Sequence, residues 1–138
     1  MKIEIVTDRT GVPIGVVTAA ANEAETELLE PALSTIPEAI ELPANVPVIA
    51  DKAYDSDPLR EQLAEVGFRL LSPHRKSRTE SRTNDGRRMR RYKRRWIIER
   101  TFAWMHSFRR LITRNEFYSF IFDGFVHLAC ALIAISRF

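Results

Sequence analysis

The chain has 138 residues, 45% of them hydrophobic and 28% charged, with a formal charge of +3 and a single cysteine, Cys130. That length suits one domain with one core, and a lone cysteine excludes an intramolecular disulfide framework and a thiolate metal cluster. The start Met1-Lys-Ile-Glu-Ile lacks the basic-then-apolar layout of a signal peptide, and the apolar stretch from Phe120 to Ile135 is short and carries Asp123 and His127. A reducing, cytoplasmic setting with no membrane span is therefore expected.

Taken in chain order, Lys2 to Thr7 alternates like a strand, Asp8-Arg-Thr-Gly11 has turn chemistry, and Pro13 to Thr18 reads as the returning strand of a hairpin. Asn22 or Glu23 can begin a helix through Glu25, Leu28, Leu29 and Leu33 that ends before Pro37. Val46-Pro-Val-Ile-Ala50 is an apolar run of buried-strand type that ends at Asp51. Asp57-Pro58 caps a second helix through Leu63 and Val66, stopped by Gly67, and Phe68 to Leu71 is a further strand. Residues 72–85 are polar, rich in Arg, Ser and Thr and without period, which predicts a mobile basic loop. Beyond it, one long helix is expected from about Gly86 to Arg114 and another from Phe117 to Phe138, with a turn near Asn115. Strands and helices in this order predict an α/β layer with one mixed sheet, in a single domain over residues 1–138.

The small net charge hides an asymmetry. From Arg69 to Arg114 there are sixteen Lys/Arg against three acids (Glu80, Asp85, Glu99), a local +13, whereas the remainder carries five basic and fifteen acidic residues, or −10. A basic block of this kind is the footprint of a phosphate backbone, although such a run can also be a solvated face. Here it leads directly into an aromatic, periodic segment, which favours a partner. Trp96, Phe102 and Trp104 are candidates for stacking on bases, with core packing the competing reading for Phe102 and Trp104. His127 and Cys130 are expected in the core.

Two constellations carry chemistry. On one long helix, Tyr92, Arg95, Glu99 and His106 fall within roughly 60° of one another, with Ile97, Trp104, Met105, Phe108, Leu111 and Ile112 opposite. Glu99 is the only acid in the 28 residues from Gly86 to Thr113. Taken alone, Arg95 and Glu99 read as a surface pair worth about 0.3–0.5 kcal/mol. The second constellation, Asp51-Lys-Ala-Tyr54-Asp55-Ser-Asp57, places three acids at a strand-to-helix junction, where ligands of α/β sheets collect. Asp57 has helix-capping work and Asp55 reads as a loop acid; Asp51 has no obvious capping role. Carboxylates on rigid elements suit Mg²⁺ or Mn²⁺, hard ions that prefer oxygen and leave positions for water and phosphate.

Together, Ala50-Asp51-Lys-Ala-Tyr54-Asp55-Ser56 and Tyr92-x2-Arg95-x3-Glu99-x6-His106 resemble the DDE transposases of bacterial insertion sequences, in the subgroup with a Tyr-x2-Arg-x3-Glu signature. The likeness extends over nearly the whole chain, because the opening hairpin with Gly11-x-Pro13 and the helix after it also resemble that family's segment between its first two acids. The resemblance implies a ribonuclease H-like fold, with Asp51 and Glu99 as second and third metal-binding acids holding two divalent ions. It also implies DNA contacts from Tyr92 and Arg95, beside which Arg91, Lys93 and Arg94 of the basic block are expected to position phosphates. His106 stands where the family usually has Lys, and a His there can still contact a phosphate. In that fold the first catalytic Asp lies on a strand before the hairpin. Asp8, at a hairpin tip, has turn chemistry instead. The chain is thus expected to be the carboxyl-terminal part of a catalytic domain, lacking the first strand and its acid and inactive alone.

The activity implied is cleavage and strand transfer at element ends and target in double-stranded DNA. The partners implied are that DNA, an upstream transposase fragment and a second copy as homodimer. Two other classes stay open: a non-catalytic basic module that binds DNA with or without Mg²⁺, and an inert remnant.

Overall fold

The computed structural model describes residues 1–78 and 86–137. In chain order its elements are β1 (Lys2–Thr7), β2 (Pro13–Ala19), α1 (Glu25–Ser34), β3 (Val46–Ile49), α2 (Asp57–Glu65), β4 (Phe68–Leu71), α3 (Gly86–Tyr92), α4 (Trp96–Met105), α5 (Arg109–Ile112) and α6 (Ser119–Arg137), with 3-10 turns at Lys52–Tyr54 and Lys93–Arg95. They group into two compact units, one of residues 1–23, 28–37 and 97–138, the other of residues 24–27 and 38–96.

The first unit is built on the hairpin. β1 and β2 pair antiparallel, with Ile3 opposite Thr18 and Ile5 opposite Val16, and the period of two sends Ile5 and Val16 to one buried face. That face meets Met105 of α4 and Phe122, Val126, Ala129, Cys130 and Ile133 of α6, while Ile98, Phe102, Trp104, Phe108 and Leu111 pack around the edge. The α6 residues recur at helical spacing, so one stripe of an almost wholly apolar helix is in the core. By length and composition α6 would also pass for a membrane-crossing helix, but its buried stripe has a partner in β1 and β2. At Gly15 of β2 an added Cβ would stand 2.5 Å from the Ala32 carbonyl oxygen of α1, so only glycine permits this close approach of helix to strand. Thr35 Oγ1 accepts the Val16 N–H there at 2.9 Å.

The second unit is a β-α-β motif. β3 and β4 are parallel, Val46 opposite Phe68 and Ile49 opposite Leu71, and α2 covers them with Leu59 and Leu63, both buried. Ser56 caps α2, its Oγ accepting the Leu59 N–H at 3.4 Å, with Pro58 in the first turn. The cap is therefore Ser56 and not Asp57, which leaves the Asp57 carboxylate to other partners. Gly67, at φ +87°, turns the chain from α2 into β4.

Two expectations are corrected. Among the described residues the four strands form two separate two-stranded sheets, one antiparallel and one parallel, in place of one mixed sheet; joining them needs a strand that hydrogen-bonds to both, and none of the described strands does. The segment from Gly86 to Arg114 is not one long helix. It tightens into a 3-10 turn at Lys93–Arg95 and ends at Met105, where Ser107 Oγ donates to the Trp104 carbonyl at 2.6 Å and Phe108 adopts extended backbone before the short α5. Of the loop expected over 72–85, residues 72–78 are irregular backbone, and 79–85 lie outside the described residues.

Candidate active site

Asp51 lies beyond the carboxyl end of β3, separated from Ile49 by Ala50 alone. One carboxylate oxygen, Oδ1, accepts the Lys52 N–H and caps the 3-10 turn Lys52–Tyr54, a capping role that the apolar-run reading did not anticipate. The other, Oδ2, accepts from Arg95 Nη1 at 2.7 Å. Arg95 Nη1 also donates to the Tyr92 hydroxyl at 3.3 Å, and the guanidinium carbon lies 5.9 Å from the Tyr92 ring centroid. The 3-10 turn explains this geometry, because side chains three apart eclipse at three residues per turn. Residues separated by 44 positions thus meet at one carboxylate. Arg91, Lys93 and Arg94 beside them are exposed.

The turn bearing Asp51 is tied to the segment after β4. Buried Ser72 donates from Oγ to the Asp51 carbonyl at 2.6 Å, and Arg75 donates to the carbonyls of Lys52 and Ala53. Asp55, whose side chain is 2% exposed, is the hub. It accepts from Arg60 Nη1 at 2.8 Å, Arg78 Nη1 at 3.2 Å and the Arg75 N–H at 2.7 Å, and lies 2.9 Å from His74 Nδ1. Burial alone would raise its pKa, but the Arg75 N–H, His74 and Arg60 outweigh burial and hold the carboxyl well below the usual range. Asp57 pairs with Arg78 at 2.7 Å. Asp55 read as a loop acid in the sequence, and neither its pairing with Arg60 nor that with residues after β4 was anticipated.

Glu99 and His106 belong to the other unit. Glu99 lies exposed in the first turn of α4, where the helix dipole favours an acid. The next two residues lock α4 to the hairpin: Arg100 Nη2 donates to the Thr10 carbonyl, and Thr101 Oγ1, fully buried, donates to the Gly11 carbonyl at 2.7 Å. Gly11 sits at φ +89°, and a Cβ there would lie 3.0 Å from Thr101 Oγ1 and 3.1 Å from Arg100 Nη2. Asp8 builds the tip, its Oδ1 accepting from the Thr10 N–H at 2.8 Å and the Val12 N–H at 3.0 Å, as its turn chemistry led one to expect. His106 stands just past the end of α4 and is exposed. The break at Lys93–Arg95 means that the four signature residues do not form one straight helical stripe. Trp104 is held between Arg137, 3.8 Å from its ring centroid, and Arg100, at 4.8 Å. Of the expected core pair, Cys130 is buried and His127 is exposed beside Asp123.

No cluster of three or more His, Cys, Asp or Glu suited to a metal occurs among the described residues. Asp51 nevertheless fits a hard divalent ion in donor chemistry: it is a half-exposed carboxylate at a strand end that already binds a cation, the Arg95 guanidinium.

Compared with known proteins, residues 1–133 match the family model described as the Transposase DDE domain. The chain belongs to this family. It is 36% identical over 137 residues, 96% of its own length and 61% of the relative's, to a Burkholderia cepacia protein named as a transposase for insertion sequence element IS402. Over 88 residues, 62% of the chain and 65% of the relative, it is 41% identical to a Brucella ovis protein named as a transposase for insertion sequence element IS6501. The chain thus spans about three fifths of the length of these relatives. No solved structure matches it.

Proposed function

We propose that the chain is the carboxyl-terminal part of the catalytic domain of an insertion-sequence transposase, acting in the cytoplasm on the double-stranded DNA of element ends and target. The observation that carries this reading is the meeting of Asp51 at the end of β3 with Arg95 and Tyr92 of the family signature. Exposed Arg91, Lys93 and Arg94 supply the phosphate contacts that set the DNA backbone beside that carboxylate. His106 offers a further donor. Asp51 and Glu99 are the carboxylates that hold Mg²⁺ or Mn²⁺, two ions in a complete site. When bound, such ions lower the barrier to in-line attack of water or a 3′-hydroxyl on phosphorus. The chain's own residues do the rest: Asp51 and Glu99 supply fixed oxygen donors, and the guanidinium and ammonium groups neutralise phosphate and orient it. A first acid comes from a further segment, in keeping with the greater length of the Burkholderia cepacia relative, and the assembly on DNA contains two copies.

The test is binding of a fluorescein-labelled duplex followed by anisotropy over a salt series, alongside Mn²⁺ binding measured by electron paramagnetic resonance. Replacing Arg91, Lys93 and Arg94 together with Ala is expected to flatten the salt dependence, each phosphate contact contributing about 0.9 to the logarithmic slope. Asp51→Asn and Glu99→Gln are each expected to weaken Mn²⁺ binding. DNA binding indifferent to Mg²⁺, together with Mn²⁺ binding unchanged in both acid variants, would instead identify a non-catalytic basic module.

A further inference from the structure

We propose that Arg95 is an exchangeable counter-ion, occupying at Asp51 the place a divalent cation takes in the working protein, and that its release delivers the guanidinium to a DNA phosphate. The inference rests on the reading of Asp51 as a divalent-ion ligand and adds a coupling between ion and DNA that the reading does not contain.

Three observations carry it. First, the two carboxylate oxygens of Asp51 have different work. Oδ1 caps the turn through the Lys52 N–H, and Oδ2 is the oxygen held by Arg95 Nη1 at 2.7 Å. Withdrawing Oδ1 would uncap the turn, so an incoming cation competes for Oδ2, and guanidinium and metal cannot share that short contact. Second, the pair is made to exchange. Its side chains are 33% and 46% exposed, so solvent reaches both, and an ion pair this open is weak. A nearly buried carboxylate with two cationic partners, such as Asp55, has no such freedom. Third, a released guanidinium stays at the site. Tyr92 holds it through the hydroxyl at 3.3 Å and the ring face at 5.9 Å, at a 3-10 turn that also carries exposed Lys93 and Arg94. A phosphate placed there by these neighbours meets a planar donor fork suited to its oxygens.

Because the ion and the phosphate each take one partner of the same pair, each removes the competitor of the other. Linkage then requires that divalent ion and DNA raise each other's affinity by the same factor.

The experiment uses the full chain with Mn²⁺ as probe, free ion being read by electron paramagnetic resonance and DNA binding by anisotropy of a labelled duplex at constant ionic strength. For the natural sequence, saturating Mn²⁺ is expected to tighten DNA binding by roughly fivefold or more. Arg95→Gln is expected to bind Mn²⁺ more tightly without DNA, to bind DNA more weakly, and to lose the effect of Mn²⁺ on DNA affinity. Arg95→Lys keeps a competing charge and is expected to bind Mn²⁺ as the natural chain does. The proposal is overturned if Arg95→Gln leaves Mn²⁺ affinity unchanged while Asp51→Asn weakens it; in that case Asp51 remains an ion ligand and only the exchange is lost. It is also overturned if Arg95→Lys behaves like Arg95→Gln, if neither the natural chain nor Arg95→Gln binds Mn²⁺, or if Asp51→Asn binds Mn²⁺ normally. This last result removes the reading of Asp51 itself.

Discussion

At the scale of single residues, the acids of the Asp51–Asp57 turn differ by what surrounds them. Asp51 is open and has one cation; Asp55 is enclosed by two guanidinium groups, a histidine and a backbone N–H. Asp55→Asn removes the nearly buried carboxylate that neutralises these partly covered cations, and a loss of about 3 kcal/mol in urea unfolding is expected. The pH dependence has a defined sign. A carboxyl whose folded value lies below its ordinary 3.8 contributes stability that is complete above that ordinary value and is lost as pH falls toward the folded one. The natural chain should therefore lose stability more steeply below pH 3.8 than Asp55→Asn does, a difference measurable by acid titration of the unfolding midpoint. Cys130 has the opposite environment. Burial pushes its thiol up to about 11, so alkylation of the native chain at pH 8 is expected to be far slower than in urea, where the thiolate forms freely.

At the scale of elements, the placement of Glu99 depends on a contact made by the residues after it. Thr101 anchors α4 to the carbonyl of Gly11, and Arg100 anchors it to that of Thr10, so the hairpin tip fixes the axial position and rotation of the helix. Thr101→Val keeps the shape and removes the donor, stranding a buried carbonyl at a cost of about 1–3 kcal/mol in chemical unfolding. Gly11→Ala adds a methyl group 3.0 Å from Thr101 Oγ1 in left-handed backbone and is expected to cost at least about 1 kcal/mol by the same measurement. The elements most legible in the sequence were those set by local pattern. Alternation located β1 and β2, Gly67 marked the turn into β4, and the apolar run before Asp51 marked β3. The breaks at Lys93–Arg95 and after Met105 were not legible, because apolar periodicity continues through both and the cause lies in turn geometry and packing. His127 was misplaced for a related reason: on a helix apolar all round, spacing alone does not say which stripe meets the hairpin. Within the site, residue type singled out Asp51 and Arg95, but their contact and the Asp55 network depend on partners brought in from after β4 and from the 3-10 turn.

At the scale of the whole molecule, charge and apolar surface are segregated. The basic run around Tyr92 lies in one unit, while the stripe Ile121, Leu128, Leu132 and Ile135 of α6, with Phe117 and Phe120 before it, leaves large apolar side chains exposed in the other. Exposed apolar area of this extent promotes association. The pair of changes Leu128→Glu and Leu132→Lys is expected to lower light scattering of concentrated solutions while moving the unfolding free energy by less than about 0.5 kcal/mol, as suits solvent-facing positions.

The chain has two tryptophans. Trp96 lies in the unit of Asp51 and is 54% exposed, whereas Trp104 lies in the unit of Glu99, clasped by two guanidinium groups. Nature has thereby installed a separate intrinsic fluorophore in each half. A Trp96→Phe chain glows only from the indole near the hairpin, a Trp104→Phe chain only from the one beside the signature turn. Comparing the two emission curves during denaturation would reveal whether the halves melt together or in succession.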